Sequence, residues 1–185
     1  MGALLAASRA IDAALGFVGK IGAWASLLLV LIVCYDVVTR YFGVPKPFGL
    51  NSTMIQESEY WVHTYLFALV IGFAYLRQAH VRIDLFRQGL STRGKFAIEF
   101  VGCLLFLIPY AGIGVYLAVG YVATSFAQGE VSKSTVGLSN IWLLKGALYP
   151  LYVMMGLAGI SQLIKSLAGL LGQLPEEKVS AVTGE

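Results

Sequence analysis

The chain has 185 residues, of which 58% are hydrophobic and only 12% are charged, and its formal net charge is +3. A soluble domain carries about a quarter charged residues, so this composition excludes a water-soluble globular protein. The few basic residues are scattered among connecting segments and form no aromatic-interleaved patch, which excludes nucleic acid as a partner. Cys34 and Cys103 each lie in an apolar run without CxxC spacing. No metal site, cofactor site or disulfide framework is therefore predicted.

Four apolar runs are predicted to be transmembrane helices, because about 20 apolar residues span the ~30 Å hydrocarbon layer. The first run is longer than the apolar region of a secretory signal, so we predict that it is a retained span. The predicted fold class is an all-α membrane protein, with a four-helix transmembrane domain over residues 1–172 and a short flexible tail over residues 173–185. The predicted spans cover about residues 16–38, 57–76, 96–124 and 138–170.

The connection after the first span is predicted to be a short exposed loop. Gly43, Pro45 and Pro47 follow the span, and proline cannot continue a helix while glycine loosens the backbone. Thr53, followed three residues later by Gln56, matches a capping box and predicts the start of the second helix.

The third and fourth spans contain residues that interrupt or pack helices. Pro109 predicts a kink that a membrane helix tolerates, and residues 125–139 are polar enough to form a loop. Lys145, Pro150 and Lys165 punctuate the fourth span. Small residues could let neighbouring helices approach closely, and the candidates are Gly102, Gly112, Gly114 and Gly120.

Orientation follows from the positions of lysine and arginine. If the N-terminus is cytoplasmic, nine of the 13 basic residues fall on the inner side, and four fall on the outer side. The outer four are Arg40, Lys46, Lys133 and Lys145. Since cytoplasmic loops carry the excess of basic residues, both termini are predicted to be cytoplasmic.

The segment at about residues 77–95, between the second and third spans, is basic but contains regularly spaced apolar residues. A helix would gather Val81, Leu85, Phe86 and Leu90 along one side. We predict an amphipathic segment lying on the cytoplasmic face against anionic phospholipids. An ordinary cytoplasmic loop is the alternative.

The polar residues are too sparse for the enzyme classes that act within membranes. His63 and His80 lie about 25 Å apart along a helix axis, so they cannot share one haem. Asp36 and Asp84 fall on opposite membrane sides under this topology, which excludes an intramembrane aspartate pair. The chain is therefore predicted not to be an enzyme.

Glu59 has two readings. It shares a helix face with His63, and Gln56 lies one turn earlier. A free-standing ion-coupled transporter could use such a carboxylate. Hydrogen bonding between helices, to Arg40 or Tyr41, is the structural alternative and is favoured because no other span supplies midplane polar groups.

The order of residues around the second span resembles a known family. Arg40-Tyr41-Phe42-Gly43 ends the first span, Glu59 opens the second, Gly72 follows thirteen residues later, and Arg77 precedes the run His80-Val81-Arg82-Ile83-Asp84. This pattern resembles the small, DctQ-type membrane subunit of tripartite ATP-independent periplasmic (TRAP) transporters. Two positions depart from the family pattern, since Gln56 stands where tryptophan is frequent and Ser58 where a second acid is frequent.

The resemblance implies a function that composition alone does not give. Such a subunit pairs with a large membrane transport subunit and a periplasmic substrate-binding protein in the bacterial inner membrane, for sodium-coupled uptake of an organic acid. It implies a scaffold that is neither an enzyme nor a holder of a cofactor. The family-motif or structural candidates are Arg40, Glu59, Gly72, Arg77, His80, Arg82 and Asp84.

Overall fold

The computed structural model describes residues 1–79, 89–175 and 179–183, and within these ranges the regular structure is entirely helical. A 3₁₀ turn at Pro47–Gly49 lies between α1 and α2, and a π-helical turn at Cys103–Leu107 joins α3 to α4. The helices are α1 Gly2–Tyr41, α2 Ser52–Leu76, α3 Thr92–Gly102, α4 Ile108–Ala127, α5 Ile141–Gly146, α6 Leu148–Leu170 and α7 Val179–Thr183. The prediction of an all-helical chain is confirmed for the described residues.

Three helical stretches are long and apolar enough to cross a membrane, and they are Gly2–Tyr41, Thr92–Ala127 and Ile141–Leu170. The chain is thus a multi-pass membrane protein by helix length and composition. α2 has 25 residues, which is also long enough, but Glu57, Glu59 and His63 make its first half more polar. The count of four spans stays a prediction.

α1 extends well beyond the predicted span at residues 16–38. It has 40 residues and is therefore about 60 Å long, roughly twice the hydrocarbon thickness. Between Gly2 and Gly16 the sequence is rich in alanine and leucine and contains no proline or glycine, so nothing stops the helix. Ser8 and Leu15 in this added part are buried.

The start of α2 differs from the predicted capping box. Asn51, with extended backbone angles, is the N-cap residue, and its side-chain oxygen accepts from the Met54 backbone N–H at 2.9 Å. Its amide also donates to the carbonyl of Val136 at 2.8 Å. Capping by Thr53 is therefore wrong, because the long-range bond of Asn51 fixes which polar residue at this boundary caps the helix.

The helical irregularity expected at Pro109 lies just before the proline. The backbone N–H of Ile108 bonds to the carbonyl of Cys103, five residues earlier, within the π-helical turn. Proline has no N–H, and its ring would crowd the carbonyl four residues before it. A widened turn relieves that conflict without ending the helical stretch.

The helices pack as an up-and-down bundle with α6 against α1, α2, α3 and α4, and α1 against α2. We call one extremity the loop end, which holds residues 42–51 and 128–140. The other is the packed end, where the start of α1, the ends of α2 and α6, and the start of α3 meet.

Both ends of the chain lie at the packed end. Ser8 bonds to Ser161 of α6, and Gln162 donates to the carbonyl of Val182 in α7 at 3.4 Å. The assignment of this end to the cytoplasm stays a prediction, and so does mobility of the tail at residues 173–185. Residues 80–88 of the predicted interfacial segment lie outside the described residues.

Candidate functional site

Asp36 organises the first polar cluster, at the loop end. It lies on α1 near its end and is only 3% exposed. Its carboxylate is paired with Arg40, one turn further along α1, and with Lys46 of the following loop at 3.1 Å. The Lys46 ammonium also donates to Ser52 Oγ at 2.6 Å. One buried carboxylate thus binds two cations and holds the loop against both α1 and α2.

Glu59 lies beside this cluster. It lines a cavity of about 430 Å³ between α1 and α2, together with Asp36, Arg40 and Gln56. With its amide oxygen turned toward the guanidinium, Gln56 accepts from Arg40 at 3.0 Å. The interhelical bond to Arg40 is thus made by Gln56 and not by Glu59. His63 is not part of the cavity lining. Its side chain is exposed, and its ring packs edge-on against Phe67.

Glu57, in the first turns of α2, holds the loop between α4 and α5. Its carboxylate accepts from the Ser132 hydroxyl and from the backbone N–H of Leu138 at 2.6 Å. Both partners lie in the long loop between α4 and α5, more than seventy residues away. No local pattern could have revealed partners so distant, although an acid opening a helix opposite a serine-rich loop was a usable hint.

A second contact of α2 holds the start of α5. The Tyr65 hydroxyl donates to the carbonyl of Leu143 at 2.6 Å. Together with the bond from Asn51 to Val136, α2 therefore contacts the α4–α5 connection through three side chains. The α4–α5 connection is thus held to α2 by side chains, in addition to the bonds of its own turns.

Glu130 and Lys145 form an ion pair that closes the same connection. Lys145 lies over the Tyr121 ring, with its nitrogen 4.1 Å from the ring centroid. Ser125 donates to Glu130 at 2.5 Å. The hydrogen bonds from Lys145 and Ser125 lower the pKa of the Glu130 carboxyl below its ordinary value. Glu130 is thus held ionised near neutral pH.

At the packed end, Gly72 permits close contact between helices. It is buried, and a methyl group added there would lie 2.6 Å from the carbonyl oxygen of Met154 on α6 and 3.0 Å from Leu15 on α1. No other residue type fits without moving a helix backbone. The geometry thus gives this motif glycine a packing reason.

Arg77 follows the end of α2, and its guanidinium lies 5.2 Å from the centroid of the Phe73 ring. This is cation–π geometry, which orients the arginine along its own helix end. The other predicted motif residues, His80, Arg82 and Asp84, lie outside the described residues.

A buried polar seam between α1 and α6 is the second feature that the sequence did not reveal. The Lys165 ammonium pairs with Asp12 at 2.7 Å, and the Ser161 hydroxyl donates to the same carboxylate at 2.5 Å. Ser8 and Ser161 share a hydrogen bond of 2.9 Å. The sequence places Lys165 within the predicted fourth span, and no signal within α6 points to a partner on α1.

The contacts described above run along the whole of α2 and connect it to α1, α6 and both long loops. The family model described as "Tripartite ATP-independent periplasmic transporters, DctQ component" matches residues 29–169, from the middle of α1 to the end of α6. The chain belongs to this family. The predicted resemblance of the sequence to DctQ-type subunits is therefore confirmed. Comparisons with curated proteins and with solved structures gave no match.

As a DctQ component, the chain is one membrane component of a TRAP transporter. Of its candidate residues, the structure brings Arg40 and Glu59 to one cavity at the loop end, and Gly72 and Arg77 to the packed end. The candidates therefore do not form one site. Each lies where helices or loops are held together.

Proposed function

We propose that this DctQ component is the small, non-catalytic scaffold of its transporter. It would support a large membrane transport subunit during sodium-coupled uptake of an organic acid that a periplasmic binding protein delivers. The proposal places it in the bacterial inner membrane, with both termini cytoplasmic and with phospholipids around it.

The observation that carries the proposal is how the buried charged side chains are used. Asp36 neutralises Lys46 and Arg40, while Asp12 neutralises Lys165. The pair with Lys46 connects α1 to the following loop and the pair with Lys165 connects α1 to α6, while Arg40 lies on the same helix as Asp36. A transport path needs polar groups that exchange partners with the substrate or ion, whereas these groups are committed to holding the bundle rigid. A rigid bundle suits a support against which another subunit moves.

The exposed surface supports the same reading. Large apolar side chains face outward on both α1 and the α3–α4 stretch, with Trp24 71% and Phe106 70% exposed. A subunit in a membrane complex needs such surfaces for lipid and for its partner. Two separate apolar faces allow one to contact lipid while the other contacts the large subunit.

Co-purification tests the scaffold proposal. The chain, carrying an affinity tag, is expressed with a candidate large membrane subunit of a TRAP transporter and is extracted in mild detergent. We expect the large subunit to be recovered with it, and uptake by cells to require both. Uptake assays without the binding protein serve as the control. Full uptake in cells that lack this chain would contradict the proposal.

A free-standing ion-coupled transporter is the second candidate, and the position of Glu59 favours it. Glu59 lines the cavity beside Asp36, and its carboxylate makes no hydrogen bond to any residue within the described ranges. Liposomes holding only this chain distinguish the two functions. Ion-driven uptake by the parent chain that disappears in Glu59→Gln would support the free-standing transporter. The scaffold proposal expects no uptake by the parent chain or by the variant.

For the motif at His80, Arg82 and Asp84, we propose a structural role in fixing the connection between α2 and α3 through hydrogen bonds and lipid headgroups. The double variant His80→Ala, Asp84→Ala should lower the yield of the complex or its uptake rate. Val81→Ala within the same segment is the matched control. Equal yield and uptake in parent and double variant would remove the support for this role.

A further inference from the structure

The connection between α1 and α2 exposes apolar side chains to an unusual degree. Phe48 is 97% exposed, Tyr41 83% and Phe42 69%. Val44 and Leu50 are also exposed. We call residues 41–50 the aromatic loop. The sequence predicted an ordinary exposed loop here, yet a loop in water does not gain from presenting three rings.

The aromatic loop presents no charge outward. Lys46 is its only charged residue, and that side chain is 9% exposed because it turns inward to Asp36 and Ser52. The neighbouring acids and bases, Asp36, Glu59, Arg40 and Lys46, sum to zero formal charge. Within the aromatic loop itself, no exposed lysine therefore requires bulk water, while the Arg40 side chain beside the loop is 52% exposed.

Phe48 adopts a backbone conformation that is unfavourable for a bulky residue, with φ 58° and ψ 26°. Left-handed angles of this kind normally fall to glycine, asparagine or aspartate. The following residue, Gly49, also has a left-handed backbone, with φ 71°. The turn thus places a glycine at one left-handed position and a bulky aromatic residue at the other. Strain of this kind often marks a functional position. The strained residue is the one whose ring points away from the protein.

Several backbone N–H groups of the aromatic loop are either absent or bonded within the chain. Pro45 and Pro47 have no N–H. The N–H groups of Phe42, Val44 and Leu50 bond within the chain at 3.0, 3.0 and 3.2 Å. A segment that lies among lipids must satisfy its backbone internally, because hydrocarbon offers no partners. These three N–H groups and the two prolines meet that requirement.

The position of the loop identifies what covers it. α1 is a membrane-spanning helix by length and composition, and its exposed face leads through Val37 and Val38 directly to Tyr41. The loop therefore continues a lipid-facing surface at the level where a span meets the headgroups. Aromatic rings accumulate at that level in membrane proteins.

We infer that the aromatic loop is a membrane-interface wedge whose occupant is the phospholipid bilayer itself. Phe48 and Tyr41 enter the boundary between headgroups and acyl chains, a depth of roughly 5–10 Å. Lys46 stays inside the protein and anchors the wedge to Asp36. This would fix the level of the loop end relative to the bilayer, and it does not depend on the scaffold role.

Spin-label accessibility tests the inference with the full-length chain in phosphatidylcholine vesicles. Cys34 is exposed and is replaced by alanine, whereas Cys103 is 1% exposed and is retained. Nitroxide is attached at Phe48→Cys. The water control is Lys133→Cys in the exposed α4–α5 loop, and the lipid control is Phe106→Cys.

We expect oxygen to relax the label at position 48 more strongly than a water-soluble nickel complex does, as at position 106 and opposite to position 133. Unchanged thermal midpoints in detergent would show that the labelled variants are folded, which is expected because Phe48 makes little contact with the protein. Preferential access of the nickel complex at position 48 would overturn the inference by placing the loop in water. Poor access of both reagents would also overturn it, because protein, such as a second copy, would then cover the ring.

Discussion

The two ends of the bundle are held together by different kinds of contact. At the packed end, helices touch directly, with Gly72 against the backbone of α6 and with the Asp12–Lys165 pair between α1 and α6. At the loop end, the helices are joined through loops, and side chains such as Glu57 of α2 bind the backbone of those loops.

This difference separates two tasks that one small membrane protein has to perform. Close backbone contact fixes the angle and distance between helices, and it tolerates almost no change of volume. Bonds from a carboxylate to loop backbone fix a surface outside the helices, and losing one such bond frees only that surface. We therefore expect changes at the packed end to affect the whole bundle and changes at the loop end to act locally.

The largest effect is expected for Gly72→Ala. The added methyl group would lie 2.6 Å from the Met154 carbonyl oxygen, which is backbone and cannot turn away. Overpacking of this kind costs typically about 1–3 kcal/mol, and we expect the upper part of that range. The thermal midpoint of the purified chain in detergent measures it.

Gly112→Ala on α4 is the matched control. A methyl group there meets no atom within 4 Å, and alanine favours a helix over glycine by about 1 kcal/mol. The control should leave the midpoint unchanged or raise it slightly. Equal losses in both variants would show that the close approach of α2 to α6 does not determine stability.

The next effect is expected for Lys165→Met. Its ammonium is nearly buried, and the variant leaves the Asp12 carboxylate, 30% exposed, without its cation. Breaking a fully buried pair costs about 3–5 kcal/mol, and we expect about 2 kcal/mol here because Asp12 reaches solvent and keeps Ser161 as a donor.

Two further variants sharpen this prediction. Lys20→Met changes an exposed lysine on α1 and should shift the midpoint little. Asp12→Asn combined with Lys165→Met should recover part of the loss, because no unpaired charge is left between the helices. A double variant less stable than Lys165→Met alone would contradict the account of an uncompensated carboxylate.

The packed end also shows why helix contacts were harder to predict than helices. The apolar runs predicted the helices well, since period and length suffice for that. The proposed contact glycines were mostly wrong for this chain, because Gly102, Gly112 and Gly120 face open space. Gly114 does approach the Tyr152 ring closely. A methyl group added at Gly19, which the sequence does not single out, would lie 2.6 Å from the Phe73 side chain. Which side of a helix faces inward depends on its neighbours, and a run that is apolar all round does not encode that choice.

A more local effect is expected for Glu57→Ala at the loop end. The variant leaves the Leu138 N–H and the Ser132 hydroxyl without their acceptor. An unsatisfied group of this kind costs about 1–3 kcal/mol, and we expect about 1 kcal/mol because the loop can turn toward water. Hydrogen exchange measured by mass spectrometry should become faster across residues 132–138.

Glu59→Ala is the control for this effect, since Glu59 is an acid two residues away whose carboxylate makes no hydrogen bond within the described part of the chain. Exchange in the loop should then match the parent. If both variants exchange alike in residues 132–138, Glu57 does not hold the loop.

The loop end shows the limit of sequence reasoning about sites. The notable acids on α2 could be recognised because ionisable residues near a span are rare. The structural role of each acid could not be assigned from the sequence. Glu57 binds partners in the α4–α5 loop, and Glu59, one residue of the family motif, lines a cavity with Asp36. Spacing along one helix predicts neighbours on that helix, and the decisive neighbours come from other elements.

The smallest effect is expected from pH at Glu130. Hydrogen bonds from Lys145 and Ser125 lower its pKa below the ordinary value of 4.5. A lowered pKa in the folded state means that the pair stabilises the fold above about pH 4.5, and that this stability is lost as the pH falls through the folded-state pKa.

Other carboxylates titrate in the same pH range, so the informative quantity is the difference in thermal midpoint between the parent and Glu130→Gln. The parent should melt at a higher temperature at pH 7, and the gap should close below pH 4.5. Because the Glu130 side chain is 37% exposed, added salt should also narrow the gap at pH 7. A gap that stays constant from pH 7 to pH 3 would mean that Glu130 acts through neutral hydrogen bonding, and the loop end would then owe its order to bonds such as those of Glu57 instead of to this ion pair.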